Sequence, residues 1–169
     1  MFLFKTELRE SQIAGTGVFA LEPVPRGAIA GFLNYKVNIV TEEQYQQAQR
    51  EGDLLLIQSA VRWIGDYFLH NTENENEDYI NHSENANLLY HCGILFATHD
   101  IEAEEELTVN YKYFLAVDDV YAFADLGTRK KVSGLPGKEA LLQSCRELME
   151  LYCDAEIDAP RHSDYKPLK

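Results

Sequence analysis

Apolar residues fall in short runs over most of the chain and take on helical spacing mainly toward its end. Phe2 to Leu8 alternates weakly and reads as a first strand. Ile13-Ala14-Gly15-Thr16-Gly17-Val18-Phe19-Ala20 reads as a glycine loop running into a strand. Pro23-Val24-Pro25-Arg26-Gly27 marks a turn, and Ala28 to Leu33 is a short apolar strand. Thr41-Glu42-Glu43-Gln44 fits a capping box and predicts a helix over Glu42 to Glu51 that stops at Gly52. Val61 to Leu69, with Trp63, Tyr67 and Phe68, has strand composition. Asn71 to Asp78 reads as an exposed polar connection. Leu88 to Tyr90 and Ile94 to Ala97 flank His91-Cys92-Gly93 as a hairpin, and Glu106 to Val109 makes another short strand. Beyond Tyr113, Asp118 to Leu126 reads as one helix. Lys138 to Tyr152 reads as a second, with Leu141, Cys145, Leu148 and Tyr152 on one face. The tail after Asp154 is polar, carries Pro160 and Pro167, and is expected to be loosely ordered. Strands first and helices last make the class β-rich α+β.

Composition narrows this picture. A chain of 169 residues with 46% hydrophobic content suits one globular domain. The start, Met1-Phe2-Leu3-Phe4-Lys5, lacks a basic leader followed by an apolar run, and no stretch reaches membrane-spanning length, so a soluble, unexported, intracellular protein is expected. Three cysteines (Cys92, Cys145 and Cys153), odd in number and without Cys-x-x-Cys spacing, argue against a disulfide framework or a cysteine zinc site. The formal charge of −13 argues against direct nucleic-acid binding, which needs clustered Lys and Arg. Such a surplus serves solubility and would also attract a basic peptide, and charge alone does not choose between the two. His70, His91, His99 and His162 have no metal-ligand spacing, and the acidic run Glu102 to Glu106 reads as a solvated turn.

Candidate chemistry lies in three segments. Asn81-His82-Ser83-Glu84-Asn85-Ala86-Asn87 precedes Glu105-Glu106-Leu107-Thr108-Val109-Asn110-Tyr111, and Gly15-Thr16-Gly17-Val18-Phe19-Ala20 lies near the N-terminus. A lone Gly-x-Gly is ordinarily just a turn. Together, in this order, the segments resemble the signature of the SET-domain protein-lysine methyltransferases over Ala14 to Tyr113. The resemblance implies several small sheets, with the C-terminal motif segment threaded through a loop made by earlier residues. On that basis a SET core is expected over 1–115, a helical segment packed on it over 116–155, and a polar tail over 156–169.

It further implies S-adenosylmethionine bound on one face, converted to S-adenosylhomocysteine, and a lysine entering a narrow channel from the other, with no metal. A neutral lysine amine would attack the sulfonium methyl in line. Desolvation and the cofactor's charge favour loss of the amine proton, and alignment lowers the barrier. By motif position Tyr111 matches the catalytic tyrosine and also borders the cofactor. Ala14, Gly15, Thr16, Gly17, Asn81 and His82 match cofactor-contacting positions. Tyr90, three residues after Asn87, matches a tyrosine that restricts the channel in enzymes adding a single methyl, and Leu33, Tyr90 and Val109 fall at channel positions. Plainer roles stand beside these: a packed tyrosine with a wet hydroxyl, a histidine that fixes its loop, a strand tyrosine across a hairpin.

The chain departs from the pattern in places. Ala86 replaces a loop proline, Glu84 stands where cysteine or another residue is common, and Glu104 takes a turn position often held by glycine. Leu33, in Phe32-Leu33-Asn34-Tyr35, replaces a channel tyrosine, and Tyr79 replaces a lysine or phenylalanine. The cysteine-rich segment that follows many SET domains is absent, so the Lys138 to Tyr152 helix either closes the cofactor pocket or simply packs on the core. The resemblance therefore implies a monomeric protein-lysine N-methyltransferase adding one methyl group to a lysine of a basic protein, histone or other, without nucleic acid or membrane as direct partner. The alternative is a catalytically silent SET-fold peptide-binding module, kept open by Leu33 and Ala86 and opposed by Tyr111.

Overall fold

The computed structural model describes residues 1–33, 38–71, 75–117 and 123–153. Its first sheet is an antiparallel pair, β1 (Thr6–Glu10) with β2 (Thr16–Ala20). The expected first strand over Phe2 to Leu8 therefore starts later, and Phe2 instead bridges Gly31 in isolation. Strand β3 (Ile29–Phe32) joins the central sheet described below.

An insert follows. Strand β4 (Asn38–Thr41) leads into helix α1 (Glu42–Glu51) and a second helix, α2 (Leu54–Ser59), that the sequence reading did not foresee. The capping box at Thr41 is present in both directions, and Gly52 closes α1 at φ 73°, a left-handed conformation that glycine accepts without strain. The expected strand over Val61 to Leu69 is in fact two, β5 (Ala60–Ile64) and β6 (Tyr67–His70), turning at Gly65 with φ 55°. The aromatic and β-branched residues are strand formers on both sides of the turn, so composition hid the break. Strands β4, β6 and β5 form one three-stranded antiparallel sheet. Tyr45, Ala48, Ile57, Phe68 and Ala116 make its small core, with the Tyr45 and Phe68 rings stacked at 4.6 Å.

The five-stranded sheet carries the two later motif segments, while the glycine segment runs into β2 of the first sheet. It runs β3, β9, β8, β10, β7, where β7 is Asn81–His82, β8 Leu88–His91, β9 Ile94–Ala97 and β10 Thr108–Val109. The hairpin β8–β9 turns at Cys92 and Gly93 with φ of 51° and 88°, the two positive values a tight two-residue turn needs. Strand β10 pairs in parallel with both β7 and β8, so the later motif segment lies between two strands that precede it. Its tight pairing begins at Thr108, two residues later than the expected strand. Glu104 adopts φ 73°, the conformation a glycine would take at that turn.

The polar connection expected over Asn71 to Asp78 is not simply exposed. Among its described residues Asn71 and Glu77 are buried, Asn76–Tyr79 forms a 3-10 turn, and the Glu77 carboxylate meets the Met1 amino group. Of the helix expected over Asp118 to Leu126, residues 118–122 lie outside the described residues. Phe123–Ala124 is strand β11, paired with β12 (Lys131–Val132). Helix α3 (Gly137–Cys153) buries Ala140, Ser144 and Leu151 and packs the expected Leu148 and Tyr152 against the core, while Cys145 of the expected face is exposed, so the inward face is shifted by part of a turn. Ala140 and Leu151 join the main core with Val18, Leu95, Leu107 and Val109. The tail from Asp154 lies outside the described residues.

Candidate active site

The register of β10 against β7 decides what meets what. Thr108 lies opposite Asn81 and Val109 opposite His82, so the chain emerging from β10 delivers Tyr111 beside the Asn81-His82 pair. The Tyr111 N–H donates to His82 Nδ1 at 3.1 Å, and the two rings sit 5.2 Å apart. The Tyr111 hydroxyl donates to the Ile80 carbonyl at 2.8 Å. Burial pushes this phenol up to about 12, so it stays protonated at neutral pH and acts as a hydrogen-bonding group.

Because Nδ1 accepts from Tyr111, a neutral His82 carries its proton on Nε2. That atom is buried and has no hydrogen-bond partner among the described residues, and Asp125 Oδ2 lies 3.6 Å away. Burial lowers the imidazole pKa, and this outweighs the opposing pull of Asp125, the Val109 carbonyl and Glu84. Asp125 starts the turn between β11 and β12. The Thr128 amide donates to Oδ1 and the Glu84 amide to Oδ2, and these bonds hold its carboxyl below the usual carboxylate range. Sequence reading passed over Asp125, and nothing local marks it, since only the fold brings it to His82.

Asn81 ties the site to the glycine loop. Its Nδ2 donates to the Ala14 carbonyl (3.1 Å), the Thr16 carbonyl (3.3 Å) and Glu106 Oε1 (2.8 Å). Ser11 Oγ donates to the same Glu106 oxygen at 2.7 Å while accepting from the Ile13 and Ala14 amides. A Cβ at Gly17 would lie 2.3 Å from Glu106 Oε1, so the missing side chain at Gly17 makes room for that carboxylate. Gly15, at φ 50°, has open space around it, and Ala14, Gly15 and Thr16 are exposed. Asn87 closes the motif loop: its Oδ1 accepts from the Thr108 amide at 2.8 Å, and its Nδ2 reaches the Glu106 carbonyl at 2.8 Å. Glu106 and Asn87 both stand in quoted motif segments, and their roles as ties emerge only from the packing.

Tyr90 approaches from the hairpin side. It is 2% exposed, its ring meets Phe114 edge-on at 4.6 Å, and its hydroxyl donates to the Arg62 carbonyl. Phe114 in turn stacks on Tyr111 at 5.7 Å, so His82, Tyr111, Phe114 and Tyr90 form a continuous row of rings. Burial raises the Tyr90 phenol well above its ordinary value. Leu33 and Val109 are buried in the main core. Leu33 is held at the hairpin end by its N–H to the Gly93 carbonyl (2.8 Å), and Val109 lies between β7 and β8. Asn34 and Tyr35 lie outside the described residues.

Helix α3 fastens the turn that carries Tyr111. Glu147 accepts from the Tyr113 hydroxyl and from Lys112 Nζ at 3.3 Å. Among the described residues no group of three His, Cys, Asp or Glu side chains could hold a metal ion. A family model described as the SET domain matches residues 15–112, more than half of the chain. No curated protein matches the chain.

Proposed function

We propose, because the chain belongs to the SET-domain family, that it is a protein-lysine N-methyltransferase. Members of that family are mostly S-adenosylmethionine-dependent and act on protein lysines. The observation that carries the reading is the Tyr111 turn locked against β7: its amide on His82 and its hydroxyl on the Ile80 carbonyl.

The residues around His82 fit the family's cofactor. An imidazole N–H, buried and without a hydrogen-bond partner among the described residues, a carboxylate oxygen 3.6 Å from it and an exposed stretch of loop backbone offer donors and acceptors together. A nitrogen-rich ligand such as an adenine-bearing cofactor would satisfy both kinds. When bound, S-adenosylmethionine supplies an electrophilic methyl group on a sulfonium. Ala14 to Gly17, Asn81 and His82 would hold it.

The protein's own part is positioning. The Tyr111 hydroxyl and the Ile80 carbonyl put two oxygens side by side at 2.8 Å. With its hydrogen committed to that carbonyl, the hydroxyl faces an incoming amine as an acceptor and can fix its direction. The row of rings from His82 to Tyr90 makes the surroundings apolar, which favours the neutral amine over the ammonium. The Tyr90 hydroxyl, committed to Arg62, likewise offers only acceptance, and its bulk supports transfer of a single methyl group. The charge of −13 supports a basic protein segment as substrate.

Calorimetry with S-adenosylhomocysteine tests the reading. Heat of binding that falls in His82→Ala, with folding retained, is the expected result. No binding by the folded wild-type protein would remove the basis for catalysis.

A further inference from the structure

Arg62 lies in the insert sheet, on a strand outside both motif segments, yet its main chain touches both candidate tyrosine segments. Its N–H donates to the Phe114 carbonyl at 2.9 Å, just beyond the Tyr111 turn, and its carbonyl accepts the Tyr90 hydroxyl. On a strand the N–H and C=O of one residue face the same side. Here the edge of β5 turned away from β6 is spent on these two groups, with Phe114 packed between Tyr90 and Tyr111.

The side chain explains how this edge is held. Arg62 is 2% exposed, and Nη1 donates to Glu42 Oε2 at 2.8 Å and to the Gly65 carbonyl at 2.7 Å. Nη2 reaches Glu42 Oε1 at 3.3 Å, and the guanidinium lies 4.5 Å over the Phe68 ring. Nε has no hydrogen-bond partner among the described residues. A buried guanidinium with an unsatisfied donor is a poor way to gain stability. It is a good way to fix geometry, because the planar fork admits few orientations. Fixing is needed, since the pairing of β5 with β6 shifts register between Arg62 and Ile64.

We propose that Arg62, clamped by Glu42, is a positioning residue that sets the spacing between Tyr90 and the Tyr111 turn, and thereby how many methyl groups the site accepts. The proposal rests on the methyltransferase reading above. Loosening the clamp frees the Arg62 carbonyl to drift, the Tyr90 hydroxyl follows it, and room opens for an amine that already carries a methyl.

Two readouts test this on the full chain. The first is the methylation state, by intact mass, of whichever member of a lysine-peptide library the wild type labels best. The second is solvent exchange of the Tyr90 hydroxyl proton, by NMR on cofactor-free protein. Arg62→Lys keeps the charge but cannot fork, and is expected to raise the dimethyl share about threefold and speed Tyr90 exchange about tenfold. In a Tyr90→Phe background, Arg62→Lys should add nothing to the product shift. Glu42→Gln, on the half-exposed partner, carries the same expectations where Arg62→Lys does not fold. Unchanged products and unchanged exchange in a folded variant would overturn the proposal. So would a wild-type Tyr90 hydroxyl exchanging as fast as an exposed tyrosine. A wild type that labels no peptide would count against the enzyme reading, while the exchange measurement would still decide whether Arg62 holds Tyr90.

Discussion

Gly17→Ala asks what the glycine loop is for. The new methyl would lie 2.3 Å from Glu106 Oε1 and 2.8 Å from its Cδ, well inside contact distance, so the carboxylate must move. The backbone at Gly17 is not left-handed, which leaves the collision as the main cost. Moving the carboxylate breaks the bonds it accepts from Ser11 Oγ and Asn81 Nδ2. Hydrogen bonds to a charged group contribute about 1.5–3 kcal/mol each; Asn81 Nδ2 keeps the Ala14 and Thr16 carbonyls, and the part-exposed Ser11 hydroxyl can turn to water, so a loss of about 2–4 kcal/mol is expected. For a chain of this size that lowers the melting temperature by roughly 4–16 °C. The decisive assay is a denaturation cycle with Glu106→Ala. If the glycine answers to Glu106, the double variant is no less stable than the worse single one, and the coupling exceeds about 1.5 kcal/mol. Additive losses would refute this, and would return Gly17 to a role in approach to a ligand.

Tyr111→Phe removes only the hydroxyl on the Ile80 carbonyl. It should cost about 1 kcal/mol of stability and about a hundredfold in kcat at saturating substrate, and a loss confined to KM would contradict its assigned role. Tyr90→Phe should let product masses pass beyond monomethyl-lysine, whereas trimethyl-lysine from the wild type would refute the restriction. His82 and His91 both have pKa values lowered by burial, so the unfolded chain takes up protons first as pH falls. Their stability contribution is complete above about pH 6.5 and is lost as pH drops below it. The denaturation midpoint should therefore fall between pH 7.5 and 5.5, less steeply in His82→Asn, and an equal slope in that variant would exclude His82.

Local chemistry was legible in the sequence where it closes on itself. The Thr41 capping box and Gly52 define α1 within one stretch, and the Cys92-Gly93 turn defines its hairpin. The meeting of Asn81, His82 and Tyr111 was legible only through the resemblance, because no periodicity records that β10 lies between β7 and β8. What stayed hidden depends on distant partners. The β5–β6 turn was masked by strand formers on both flanks. Glu77 looked like one more polar loop residue until its carboxylate met the Met1 amine. Arg62 and Asp125 carry no local mark of their roles, since Glu42 and His82, the partners that give them those roles, lie at least twenty residues away in sequence.

The most direct measurement of the central claim is mass spectrometry of a lysine-peptide library incubated with the protein and S-adenosylmethionine labelled on its methyl group. The account predicts labelled lysine with wild-type protein and about a hundredfold less with Tyr111→Phe. A wild-type protein that binds the cofactor yet labels no lysine, or a Tyr111→Phe variant that labels as fast, would contradict it.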